Sequence, residues 1–285
     1  MDGAIMRILN LLFSTLVITS LACSSSNKNS SSSDSSVAAS SAESESSPVA
    51  KSKANSDSAR TESAAPVANA LVEAIKAQNE ESIYKAATSA LLLNANDVRA
   101  LNALGLYNYR KGRPLAARLL FSKALQLQPN SSELYSNIGL TYLATKDEAE
   151  AIRSFKKAIE VNAADTSATT NLASIYLEHR DFNKAFSVLT LNAGRPKDIK
   201  FLINSALVYQ IKEKPEQAES LYKEALKISQ TNKELLLNYA IFQIEYQKKF
   251  REGLETLDRL KLLGLGEGMK NITNGLENRA KAGLK

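Results

Sequence analysis

The sequence predicts an all-α chain built from repeated helix pairs, on two observations. Stretches 98–131 and 132–165 superpose at an offset of 34, setting Leu104-Gly105 on Ile138-Gly139, Ala117 on Ala151, Phe121 on Phe155 and Ala124 on Ala158. A period in this range marks stacked helical hairpins. Pro114 and Pro215 fall at equivalent places, the start of a second helix, where a missing N–H costs nothing and the fixed φ helps. The recurring residues are selected for size and carry no reactive group, so the pattern points to a scaffold rather than an active site.

Taken in order, the chain opens with residues 1–22, a single basic Arg7 followed by the apolar run Ile8, Leu11, Leu12, Phe13, Leu16, Val17, Ile18 and Leu21. The run is too short and interrupted for a membrane span of about 20 apolar residues, and it reads as a secretory signal peptide. Met1 and Met6 are both open as the true start. Cys23, the only cysteine, ends the run and has no partner for an internal disulfide. Ser20-Leu21-Ala22-Cys23 resembles the lipobox of bacterial lipoproteins, with Ser20 standing where that family prefers Leu or Val. The resemblance implies acylation of Cys23 and a lipid anchor in the membrane; an ordinary signal peptide with an unpaired Cys is the alternative. Ser24 after the Cys, where Asp would favour inner-membrane retention, points to the outer membrane.

Residues 23–64 form a Ser-rich tether, with eighteen Ser among the forty-one residues from 24 to 64. With no aromatic and almost no branched apolar side chain, such a stretch cannot repay its ordering entropy. Its root-mean-square reach is about 35 Å. The tether carries four basic and five acidic residues, so the +6 of the chain becomes +7 over 65–285. The basic residues are dispersed as Lys-rich helix faces without an Arg-rich run or interleaved aromatics, which argues against a nucleic-acid partner.

The period and its residues resemble the tetratricopeptide repeat family. In that family helix A carries a bulky residue at position 4, Leu-Gly or Leu-Ala at 7 and 8 and Tyr at 11; helix B carries Ala at 20, an aromatic at 24, Ala at 27 and Pro at 32. Repeat 98–131 supplies Leu101, Leu104, Gly105, Ala117, Phe121, Ala124 and Pro129, with Tyr107 and Tyr109 flanking the expected Tyr. Repeat 132–165 supplies Tyr135, Ile138, Gly139, Tyr142, Ala151, Phe155 and Ala158. Repeat 166–198 keeps Leu172, Ala173, Tyr176, Ala185 and Leu189, and Asn192-Ala193-Gly194-Arg195-Pro196 should end its second helix early. Repeat 199–232 supplies Leu202, Ala206, Tyr209, Ala218, Tyr222 and Ala225.

The signal fades outside these four. Residues 233–264 keep Leu236, Tyr239, Ala240, Leu257 and Leu260 but need about one inserted residue, and 65–97 keep chiefly Ala90 and helical periodicity. Terminal repeats are atypical because one face meets water. Residues 265–285 read as a C-terminal capping helix, from Met269 to about Lys281. The resemblance thus implies a right-handed superhelical solenoid of five to six repeats.

Parts for catalysis are missing from the sequence. The single His179 falls beside Arg180-Asp181 at the end of a helix A, where a solvated turn residue is the reading. No metal-ligand cluster, phosphate-cradling loop or nucleophile elbow appears, so neither enzyme activity, a cofactor, a metal nor a small-molecule substrate is expected.

In the family, positions 2, 5, 6, 9, 12 and 13 of the A helices point into a concave groove. Asn137, Asn171, Asn204 and Asn238 hold position 6 in four successive repeats. Adjacent A helices lie about 10 Å apart, close to three residues of extended chain. A ladder of amides could therefore grip a ligand backbone, although Asn is also the commonest family residue there. Around it stand Leu106, Leu140, Leu207 and Ile241 at position 9, and Tyr109, Leu143, Leu177 and Ile244 at position 12. So apolar a lining is expected to receive a protein partner.

The expected function is a lipid-anchored, periplasm-facing outer-membrane scaffold that positions a protein partner during assembly of an envelope machine. Its layout is similar to the pilotin lipoproteins that help secretin rings assemble for type IV pili. A permanent structural subunit of a motility or secretion complex and a regulator of a peptidoglycan enzyme are the alternatives.

Overall fold

A computed structural model describes residues 69–192 and 198–285. The signal segment, Cys23, the tether and residues 193–196 of the predicted helix break lie outside the described residues. All the regular structure described is helical, and the chain divides into two compact units at residues 127 and 128. No helix among the described residues is long and apolar enough to cross a membrane.

The N-terminal unit holds α1 (69–76), α2 (Glu80–Leu93), α3 (Val98–Arg110) and α4 (Pro114–Leu127). The Asn79 side chain accepts from the Ser82 N–H, and that of Asp97 from those of Arg99 and Ala100, satisfying orphan donors of the first turns of α2 and α3. Leu71, Ala74, Ile83, Ala87, Ala90, Ala100 and Ala103 form its core.

The second unit holds α5 (Ser132–Ala144), α6 (Glu148–Val161), α7 (Thr166–Glu178), α8 (Phe182–Thr190), α9 (Ile199–Ile211), α10 (Pro215–Ile228), α11 (Lys233–Ile241), α12 (Phe250–Leu262) and α13 (Glu267–Gly283). Ser131, Asp165, Asp198 and Asn232 cap the A helices α5, α7, α9 and α11, each accepting a backbone N–H three residues on. The B helices start in two ways. Asp147 and Asp181 cap α6 and α8 by their side chains, whereas α10 begins on Pro215 with no side-chain cap.

Each A-to-B turn passes through a residue in the left-handed region. Gly112 (φ 71°), Lys146 (62°), Arg180 (59°), Glu213 (56°) and Lys248 (60°) occupy the equivalent position in successive helix pairs. Only the first is glycine, the residue that adopts this conformation without steric cost.

Two irregularities interrupt the stacking. Helix α8 has 9 residues where α6 and α10 have 14. Asn192 stands where the other repeats place Ala124, Ala158 and Ala225. It is fully buried, its amide nitrogen donating to Thr169 Oγ1 (2.7 Å) and to the Ala163 carbonyl (3.0 Å). Its donors are thus satisfied, while its Oδ1 is buried without a hydrogen-bond partner. The second irregularity is the residue inserted in 233–264. It is absorbed inside the A helix, where α11 runs into a π-helical turn, Phe242–Tyr246, closed by the Gln247 N–H on the Phe242 carbonyl (3.0 Å). There Tyr222, Tyr239 and Phe242 pack together at centroid separations of 5.3–6.4 Å.

The last helix, α13, buries Thr273, Leu276 and Ala280. Glu277 holds both Lys261 (2.5 Å) and Lys281 (2.6 Å), and Arg279 pairs with Glu245.

Candidate partner-binding site

Helices A and B of a repeat meet through small residues opposite large ones. A Cβ on Gly139 would stand 2.6 Å from the Phe155 ring, too close for any real side chain. Gly105 and Phe121 repeat the arrangement in the N-terminal unit at 2.4 Å. Ala117, Ala151, Ala185 and Ala218 are fully buried in the B helices. This contact fixes the roll of each A helix and so decides which of its side chains reach the concave line.

The amide ladder divides into two halves. Asn204 is 1% exposed, and its Nδ2 donates to Ser174 Oγ (2.9 Å) and to the Thr170 carbonyl (3.3 Å) of α7. Asn238 is fully buried, and its Nδ2 donates to the Glu234 carbonyl one turn back (2.9 Å). These two donors are committed inside the protein, which corrects the expectation that all four amides face a ligand. Asn137 and Asn171, each 9% exposed, lie at the margin of burial, and Asn171 Oδ1 accepts from Lys200 Nζ at 3.3 Å.

The apolar positions divide in the same way. Leu207, Ile241 and Ile244 are members of the core cluster of α9 to α13, and Leu177 of the cluster of α6 to α9, none of them more than 3% exposed. They are packing residues in this structure, not the lining of an open groove. Leu140 and Leu143 on α5 are only half-buried. Leu106 and Tyr109 are also half-buried and belong to the N-terminal unit. The least buried part of the line in the second unit is therefore its front, Leu140 and Leu143 on α5, with Asn137 on α5 and Asn171 on α7 at the margin of burial.

Residues that sequence reasoning missed stand at other groove positions of the A helices. Lys200, at position 2 of α9, reaches back to Asn171 and is also the cation opposing the upward push that burial gives the Glu234 carboxyl. Burial likewise pushes the Glu178 carboxyl up, with the charge of Glu148 adding to the effect and Lys200 opposing it. Ser136 Oγ and both amide atoms of Gln210, at positions 5 and 12, are buried without a hydrogen-bond partner. Such groups are rare in a closed core and carry unmet binding capacity. The signal for all of them was available only as repeat position, since Lys, Gln and Ser are unremarkable on a helix.

His179 sits at the C-cap of α7, its Nε2 2.5 Å from Oε1 of Glu148, the first residue of α6, with both side chains well exposed, a surface contact between helices. Among the described residues no group of three or more His, Cys, Asp and Glu is placed to hold a metal ion.

Successive A and B helices meeting through small residues, with left-handed turns in register, give the fold of a tetratricopeptide-type helical solenoid. The family described as Tetratricopeptide repeat matches residues 132–165 and 199–232. The chain is 28% identical over 95 residues to the Type IV pilus assembly protein PilF of Pseudomonas aeruginosa, covering 33% of this chain and 38% of that protein. It is 23% identical over 188 residues to human Protein O-mannosyl-transferase TMTC3, covering 64% of this chain but 20% of that protein. The chain thus spans well under half the length of these curated relatives. The solved structure of Pseudomonas aeruginosa PilF superposes with a TM-score of 0.54 at 17% identity, over 65% of this chain and 88% of that one. At that identity the likeness concerns the fold.

Proposed function

We propose that this protein is a lipid-anchored scaffold of a bacterial outer membrane that holds a protein partner for assembly of an envelope machine of the type IV pilus or secretin kind. The observation carrying this reading is the less buried front of the ladder. Asn137 and Asn171 put two amides on successive A helices beside the half-buried Leu140 and Leu143, where backbone-binding and apolar contacts can act together. Similarity to a protein named for type IV pilus assembly supports the choice of machine. The Ser20-Leu21-Ala22-Cys23 sequence supports the anchor, because the several acyl chains of a lipoprotein hold far more firmly than a single marginal chain. The scaffold has no catalytic role in this reading.

The test is an affinity pull-down from solubilised membranes together with metabolic labelling by a fatty-acid probe. The wild type should take the label, stay with the membrane fraction and retain an envelope-assembly component; Cys23→Ser should take none and leave that fraction. Equal labelling of Cys23→Ser would remove the anchor from the account, and a wild-type eluate free of envelope components would remove the scaffold role.

A further inference from the structure

Between Asp97 and Glu133 the chain has no acidic residue, while Arg99, Arg110, Lys111, Arg113, Arg118 and Lys123 are basic. Arg99 and Lys111 are paired with carboxylates outside this stretch, Asp97 and Glu80. Arg113 and Lys123 form no ion pair among the described residues. Helix α4 turns Ala117, Phe121 and Ala124 inward. Its opposite face carries Leu115 and Leu119, 65% and 72% exposed, in line with Ser122 and Gln126 and flanked by Arg118 on one side and Lys123 on the other. An apolar stripe between basic flanks is the pattern of a helix that lies in a membrane interface.

We propose that this face of α4 docks on an anionic phospholipid surface, laying the N-terminal unit against the membrane. Two observations select that occupant. The charge is complementary, since a basic stretch with no acidic residue between Asp97 and Glu133 is attracted to anionic headgroups by about fivefold in binding for each Lys or Arg near the surface. The sequence preceding residue 69 also leads into the first helix of this same unit, and it carries Cys23, the residue proposed above to take the lipid. The inference rests on the lipid anchor proposed above.

The experiment uses the full chain held by its own anchor in vesicles, with an environment-sensitive fluorophore on Ser122→Cys or, for comparison, on Lys227→Cys of α10, and nitroxide-bearing lipid as quencher. With about one-quarter phosphatidylglycerol in phosphatidylcholine, the Ser122 probe should be quenched strongly and the Lys227 probe weakly. Raising the salt, leaving out phosphatidylglycerol, or combining Leu115→Ser with Leu119→Ser should each reduce the Ser122 signal about tenfold. Equal quenching at both sites, or quenching indifferent to lipid charge, would overturn the proposal. A Ser122 probe silent on vesicles but shielded from a water-soluble thiol reagent in whole cells would give the face to a protein partner and overturn it too. Loss of the chain from the vesicles is the separate failure of the anchor; a Ser122 probe then left unquenched by added anionic vesicles would sink the docking face as well.

Discussion

Repeats 132–165 and 199–232 match the same family pattern and share residue types at the same positions, but they use those residues differently. On α5, Leu140 and Leu143 remain half-buried and Asn137 stands at the margin of burial. On α9 the equivalents Asn204 and Leu207 are 1% and 3% exposed, the amide bonded to α7 and the leucine inside a cluster that includes Tyr222, Tyr239 and Phe242. The ion pairs differ too. In 132–165 the internal pairs Arg153–Glu150 and Lys157–Glu160 are exposed i,i+3 contacts, whereas Glu219 of 199–232 joins Lys223 on its own helix to Gln247 and Lys249 beyond the π turn. Repeat identity thus fixes how helices A and B of one unit meet, and the neighbouring repeat decides whether the concave side chains become surface or core.

The sharpest break in this comparison is Gly139→Leu, which should cost about 1–3 kcal/mol or more by overpacking Phe155. Since stability in such arrays is nearly a sum of neighbour contributions, hydrogen exchange should show the loss concentrated in α5 and α6, with 199–232 spared. An unchanged melting temperature would refute the assigned register.

Acid should act on the other repeat. Held mainly by the Lys223 ammonium, with Gln247 and Lys249 assisting and burial opposing, the Glu219 carboxyl falls from 4.5 to about 2. A group whose folded pKa is depressed stabilises the fold above its unfolded value, and that contribution is lost as pH falls between about 4.5 and 2. Acid unfolding followed by circular dichroism should therefore shift to lower pH relative to Glu219→Gln, and the two curves should converge below that window. Superimposable curves throughout would exclude the Glu219 network.

The smallest effect expected is a gain. Glu213 holds φ 56° in the turn of 199–232 where the first complete repeat has Gly112, so Glu213→Gly should stabilise by about 1 kcal/mol through relief of left-handed strain. Chemical denaturation measures it, and a loss of stability would contradict the account of the turn.

Much of this fold is legible in the sequence because contact residues within a repeat are close along the chain. Gly139 against Phe155 is sixteen positions of separation and a matter of size. The truncation of α8 is announced by Asn192 and the residues after it, but the burial of that amide is not, since its partners are Ala163 in the preceding repeat and Thr169 in the first turn of its own repeat's A helix. The extra residue in 233–264 can be counted, yet counting alone does not distinguish a longer loop from a π turn. At the turns only Gly112 advertises its conformation; Lys146, Arg180 and Glu213 adopt it under constraint from the helices they join. For the site, repeat position located the ladder. The commitment of Asn204 depends on Ser174 and Thr170, thirty or more residues away, and no local pattern encodes that.

The central claim, that only the front of the ladder faces a partner, is tested most directly by pull-down and circular dichroism on two variants. Combining Asn137→Ala with Asn171→Ala should reduce partner capture about fivefold for each lost hydrogen bond and leave the helical signal intact, because Ala has the better helix propensity. Asn204→Ala should instead lower the melting temperature while its folded fraction captures the partner as the wild type does. Undiminished capture by the double variant, or capture lost in a fully folded Asn204→Ala, would contradict the division of the ladder.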